Sequence, residues 1–104
     1  MSTSIEPELY VGTEVRSRVE FRDSDGALQD PTWVRFLVQD PNDVETEDEY
    51  PPEVDIHRTA QGCYEAFVYL DKAGAWYWRW VGTGALKAAL EGVLLVRPTV
   101  FENP

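Results

Sequence analysis

The sequence predicts an all-β, antiparallel sandwich of six to seven short strands with at most one short helical turn. Side chains alternate between apolar and polar in most segments, turn residues recur at near-regular spacing, and GAWYWRW (74–80) sets Trp76, Trp78 and Trp80 two residues apart. Successive side chains of a strand point to opposite faces, so the three indoles share one side while Tyr77, Arg79 and Val81 share the other. Each indole removes on the order of 200 Å² from water when covered, worth several kcal/mol at roughly 25 cal/mol/Å². At least two are therefore expected between two sheets, and Trp78→Ala is expected to cost roughly 3 to 5 kcal/mol.

The elements follow in chain order. In TEVRSRVEFR (13–22), Val15, Ser17, Val19 and Phe21 fall on one face and Arg16, Arg18, Glu20 and Arg22 on the other, the pattern of a half-buried strand. DSDGALQDP reverses the chain, with Asp25-Gly26 supplying turn dihedrals and Pro31 marking the exit. TWVRFLVQ (32–39) alternates again but is apolar on both sides, as a central strand is. Residues 40–55 hold eight acids, no base and three prolines, a composition that repels itself and is expected to form a long exposed loop.

EVDIHR (53–58) is expected to be a short strand with Val54 and Ile56 inward, followed by a turn at TAQG. CYEAFVYL and AWYWRWVG are the next two strands, separated by the turn residues Asp71-Lys72-Ala73-Gly74. GTGALKAALEG is expected to be a glycine-bounded connection with room for one helical turn, and VLLVRPTVF a last strand ended or kinked at Pro98.

A chain of 104 residues is too short to divide into two cores, and its 43% hydrophobic and 12% aromatic content fits a globular domain better than a disordered one. The net charge of −10 opposes nucleic-acid backbones and anionic membranes, both of which need basic surface. The start MSTSIEPELY has neither a charged n-region nor an apolar h-region, and no apolar run approaches the roughly 20 residues of a membrane span. A soluble protein made in the cytosol is expected.

No residue set identifies a reaction. The only cysteine, Cys63, rules out an internal disulfide or a thiolate metal cluster, and nothing in the sequence pairs it with the only histidine, His57. The acids of 40–55 are hard oxygen ligands of the kind calcium takes, yet they match no EF-hand spacing, and Asp23, Asp25 and Gly26 lack the downstream ligands of such a loop. GTGALKA lacks the ending of a phosphate loop. The expectation is a binder or building block with no enzymatic activity and no cofactor.

The positions Asp25, Gly26, Leu28, Asp30 and Pro31; Asp40 and Pro41; Gly62 and Tyr64; Gly74, Trp76, Arg79 and Trp80; Gly82 and Gly84; and Glu91 and Gly92 form a pattern over residues 13–97. In this pattern the chain resembles the small immunoglobulin-like structural proteins of the head, neck and tail gene clusters of tailed bacteriophages and prophages. The resemblance implies an immunoglobulin-like Greek-key sandwich at 13–97, between an N-terminal arm (1–12) and a C-terminal tail (98–104). It further implies a non-enzymatic virion component in many copies, synthesised in the host cytoplasm. Its partners would be other capsid, neck or tail subunits, or further copies of itself.

Apolar residues near the two ends, Ile5, Leu9, Tyr10, Val100 and Phe101, are candidate partner anchors, with folding back onto the same sandwich as the alternative. A second reading is a carbohydrate-binding or host-surface adhesion module that stacks a sugar on Trp33, Tyr69 or Tyr77.

Overall fold

The alternating segments around Val15, Val34, Tyr64 and Trp76 are strands in the structure, a computed structural model that describes residues 9–101. In chain order the strands are β1 (Leu9–Tyr10), β2 (Thr13–Glu20), β3 (Trp33–Gln39), β4 (Glu45–Tyr50), β5 (His57–Ala60), β6 (Cys63–Leu70), β7 (Gly74–Thr83) and β8 (Ala88–Arg97). They form two sheets, β1-β8-β7-β3-β4 and β2-β6-β5. Lettered from B at β2 onward, the order is G-F-C-C′ facing B-E-D, that of an immunoglobulin-like sandwich. Every pairing is antiparallel except β1 with β8, which runs parallel.

The core follows from the alternation. Val19 and Phe21, Val34 and Phe36, Tyr64 and Leu70, and Trp76 and Trp80 all turn into the space between the sheets. Trp80 is 0% exposed, stacks on Phe36 with ring centroids 4.3 Å apart, and donates its indole N–H to Ser17 Oγ of the opposite sheet at 2.9 Å. Ser17, a polar residue set between Val15 and Val19 on the inner face of β2, thus satisfies the one donor that this burial would otherwise strand. Trp76 donates to the Lys72 carbonyl at 2.9 Å.

Trp78 differs from its two neighbours and is only half-buried. Its indole lies over Gly92, its partner on β8, where a Cβ would stand 2.2 Å from the ring. The expectation that at least two indoles are covered holds for Trp76 and Trp80, and the full truncation cost belongs to Trp80 rather than Trp78.

Four local expectations are corrected. The acidic stretch is not all loop: Glu45–Tyr50 is β4, an edge strand paired with β3. β3 needs a partner on that side, and alternation sends Glu45, Glu47 and Glu49 to the outer face, where solvent and Arg35, bonded to Glu47 at 2.9 Å, tolerate them. Tyr50 meanwhile turns in against Tyr64, with ring centroids 5.3 Å apart.

The strand expected at 53–58 begins only at His57 and runs to Ala60; Ile56 is buried as expected, but Val54 is exposed. The connection expected at 82–92 is shorter, because Gly82 and Ala88 already face each other in the β7–β8 ladder and Ala88–Gly92 belong to β8; it holds no helical turn, within the at most one expected. The described residues hold eight strands instead of six or seven, since β1 and β4 fall where the sequence reads as arm and loop. Trp80→Ala is expected to cost about 3 to 5 kcal/mol in urea denaturation, Trp78→Ala distinctly less, and Gly92→Ala is expected to destabilise by forcing the Trp78 ring off β8.

Candidate interaction surfaces

β3 is bracketed by two Asp-Pro pairs, and both carboxylates work for the fold. Asp30 accepts hydrogen bonds from Arg58 Nε (3.1 Å) and Nη2 (2.9 Å), from the Gly62 N–H (2.8 Å) and from the Tyr64 hydroxyl (2.9 Å), tying the entrance of β3 to the β5–β6 hairpin of the other sheet. The Arg58 guanidinium, helped by the Gly62 and Tyr64 donors, lowers the Asp30 carboxyl to about 2 against the desolvation it suffers. Burial, with the Asp30 charge behind it, pushes the Tyr64 phenol up.

At the exit, Asp40 accepts from the N–H groups of Asn42 (2.8 Å) and Val44 (3.0 Å) and meets Lys72 Nζ of the β6–β7 turn at 3.2 Å. The Val44 donor, then Lys72 and the Asn42 donor, hold its carboxyl below the ordinary value. The prolines pack on glycines of β7: a Cβ at Gly82 would stand 2.7 Å from Pro31 Cγ, and one at Gly74 2.9 Å from Pro41 Cβ. Asp23 uses its carboxylate likewise, accepting from the N–H groups of Asp25 and Ala27 at 2.9 and 3.0 Å to close the first turn. Among the described residues no group of three or more His, Cys, Asp or Glu side chains is arranged to hold a metal ion.

The surfaces lie elsewhere. On the outer face of the five-stranded sheet, Val93 stands opposite Tyr77 and Leu95 opposite Ala75, with Tyr10 at the β1 edge beside Arg97. Tyr10, Tyr77, Val93 and Leu95 are all exposed, so this end of the face carries an apolar strip, bordered by the Arg79–Glu91 ion pair. Val93 and Leu95 were not singled out in the sequence. Their alternation marks them as outward only once β8 is known to begin at Ala88.

The stacking candidates do not converge. Tyr77 and Trp33 share this outer face, but their β3 register positions, 39 and 33, are six residues or roughly 20 Å apart along the strand. Tyr69 lies with Phe67 on the opposite side of the sandwich, on the outer face of the three-stranded sheet. Of the end anchors, Leu9 packs against its own core, whereas Tyr10, Val100 and Phe101 are exposed; Ile5 lies outside the described residues. His57 on β5 and Cys63 on β6 belong to adjacent strands, and among the described residues no hydrogen bond joins them.

No protein-family model matches the chain, and no curated protein or solved structure matches it significantly.

Asp30 sets an acid dependence. Folded, it keeps its charge down to about pH 2, while its unfolded value is near 3.8, so the unfolded chain binds the extra proton in between. This contribution is complete above the unfolded value and is lost as the pH falls through the folded one. The thermal midpoint is therefore expected to drop between pH 5 and pH 2, and Asp30→Asn, less stable at neutral pH, should show a shallower drop. Asp48 is the reverse case: burial and the neighbouring Asp55 carboxyl raise it, so Asp48→Asn should raise the thermal midpoint at pH 7.

Proposed function

We propose that the protein is a non-enzymatic structural component of a tailed-phage or prophage virion, an accessory or connector module of capsid, neck or tail that acts through protein–protein contacts. The observation that carries the contact reading is the apolar strip of Tyr10, Tyr77, Val93 and Leu95 on a flat sheet face. Exposed apolar patches with a polar border are where soluble domains meet partners. The titratable clusters at Asp23, Asp30 and Asp40 are consumed in holding turns and sheets together, which agrees with a building block. The virion setting rests on the resemblance in sequence pattern. A carbohydrate platform is less well supported, because Trp33, Tyr69 and Tyr77 are distributed over two faces and cannot close on one sugar.

The test is incorporation into particles. Purified virions from cells expressing the wild-type chain are expected to carry it at a fixed ratio to the major capsid or tail protein. The doubly substituted Tyr77→Glu, Leu95→Glu chain should fold with an unchanged thermal midpoint and be left out. Particles that exclude the wild-type protein, or a wild-type chain whose tryptophan fluorescence is quenched by glycans, would overturn this reading.

A further inference from the structure

β5 is half the length of β6, and the shortfall leaves part of β6 without a partner strand. The Phe21 N–H bonds the Gly62 carbonyl at 2.7 Å, so by antiparallel alternation Tyr64, Ala66, Val68 and Leu70 turn their backbone groups to β2, while Glu65, Phe67 and Tyr69 turn theirs to the β5 side. His57 pairs with Glu65, and there the chain leaves β6: Ile56 is buried between the sheets, and the Asp55 carboxyl comes within hydrogen-bonding reach of Asp48 on β4. No described strand lies beside Phe67 and Tyr69 on that side.

A groove of about 310 Å³ opens at this place, between the β5-side edge of β6 and the inner face of β4. Its floor is apolar, made by Phe36, Val38, Val68 and Trp76, and Asp40, Asp48 and Asp71 stand around it. Lys72, the base at the rim, is already shared by Asp40 at 3.2 Å and Asp71 at 3.3 Å. Asp40 and Asp48 belong to the stretch 40–55, which holds eight acids and no base. Burial and the neighbouring Asp55 carboxyl raise Asp48, so a cation placed beside it relieves a repulsion that the fold carries.

We propose that this groove takes an extended, basic segment of another protein as an added strand on β6, a contact separate from the outer-face strip. The segment continues the line of β5 for about four residues, roughly 13 Å at about 3.3 Å per residue, and exchanges backbone hydrogen bonds with Phe67 and Tyr69. Its side chains alternate, so apolar residues lie on Phe36 and Val38 while lysine or arginine residues reach the acids of the rim. Charge selects the occupant. Residues 1–8 and 102–104, the chain's own segments outside the described residues, contain Glu6, Glu8 and Glu102 and neither lysine nor arginine, so the chain's ends supply no such strand. A second copy brings a net charge of −10 to the same acidic rim and is opposed for the same reason.

The test follows the backbone amides of the full-length, isotope-labelled chain by NMR while a capped peptide of about six residues, alternating lysine and valine, is added. The amide resonances of Thr46, Phe67 and Tyr69 should shift together and saturate, and a glutamate–valine peptide of the same length should leave them in place. Tyr69→Pro removes an N–H that faces away from β2 and spares the β2–β6 ladder; it should weaken binding by about tenfold or more. Asp48→Asn keeps the size of the side chain and should weaken binding several-fold, with a shallower salt dependence. The Tyr77→Glu, Leu95→Glu chain should bind the peptide as the wild type does, so failure here leaves a contact through the outer face standing. A lysine–valine peptide that shifts none of these amides would overturn the inference. So would equal binding by the wild type, Tyr69→Pro and Asp48→Asn, which would reduce the attraction to net charge alone.

Discussion

Trp80 joins the two sheets. Its ring stacks on Phe36 within its own sheet, and its indole N–H reaches Ser17 in the other, so the largest buried side chain is fixed in orientation as well as covered. An indole sealed in this way contributes its transfer free energy only if its one donor finds an acceptor, and Ser17 is the residue that lets both conditions hold. The position of β2 over β7 follows from that pair. So does the outward orientation of Tyr77 and Arg79, since the strand that points Trp80 inward must point its neighbours out.

Around this centre the structure repeats one device at the two ends of β3. An aspartate gathers donors from the opposite sheet or its turn, and the following proline presses on a glycine of β7. Together with Gly92 under Trp78, these contacts account for most of the Asp-Pro, Gly-Tyr and Gly-Trp pattern positions marked in the sequence. Those residues are the ones that close the sandwich. Such a pattern therefore speaks to architecture, and interaction surfaces are free to vary outside it, on the outer faces and edges where Tyr77, Leu95 and Tyr69 lie.

Much of this was legible in the sequence because burial writes itself as a period of two: β2, β3, β6 and β7 could be placed, and Trp76, Trp78 and Trp80 could be put on one face with at least two of them covered, though not which two. β4 was not, because an edge strand whose outer positions are Glu45, Glu47 and Glu49 has the composition of a loop. It is a strand only because β3 offers it a ladder. The start of β8 was obscured by ALKAAL, whose small and helix-favouring residues carry no strand signal until Gly82 is paired with Ala88. The Asp30 and Asp40 networks were invisible for a different reason. Each joins residues far apart in the chain, as Asp30 and Tyr64 are, and no local pattern encodes a hydrogen bond across two sheets.

The most direct measurement of the central claim is native-state hydrogen exchange of the four indole N–H groups by NMR. The Trp80 proton should exchange slowest, at a rate set by global unfolding and matching the free energy from urea denaturation, while the exposed Trp33 exchanges at the rate of a solvated indole. A Trp80 proton exchanging as fast as that of Trp33 would contradict a core locked across the sheets by this ring.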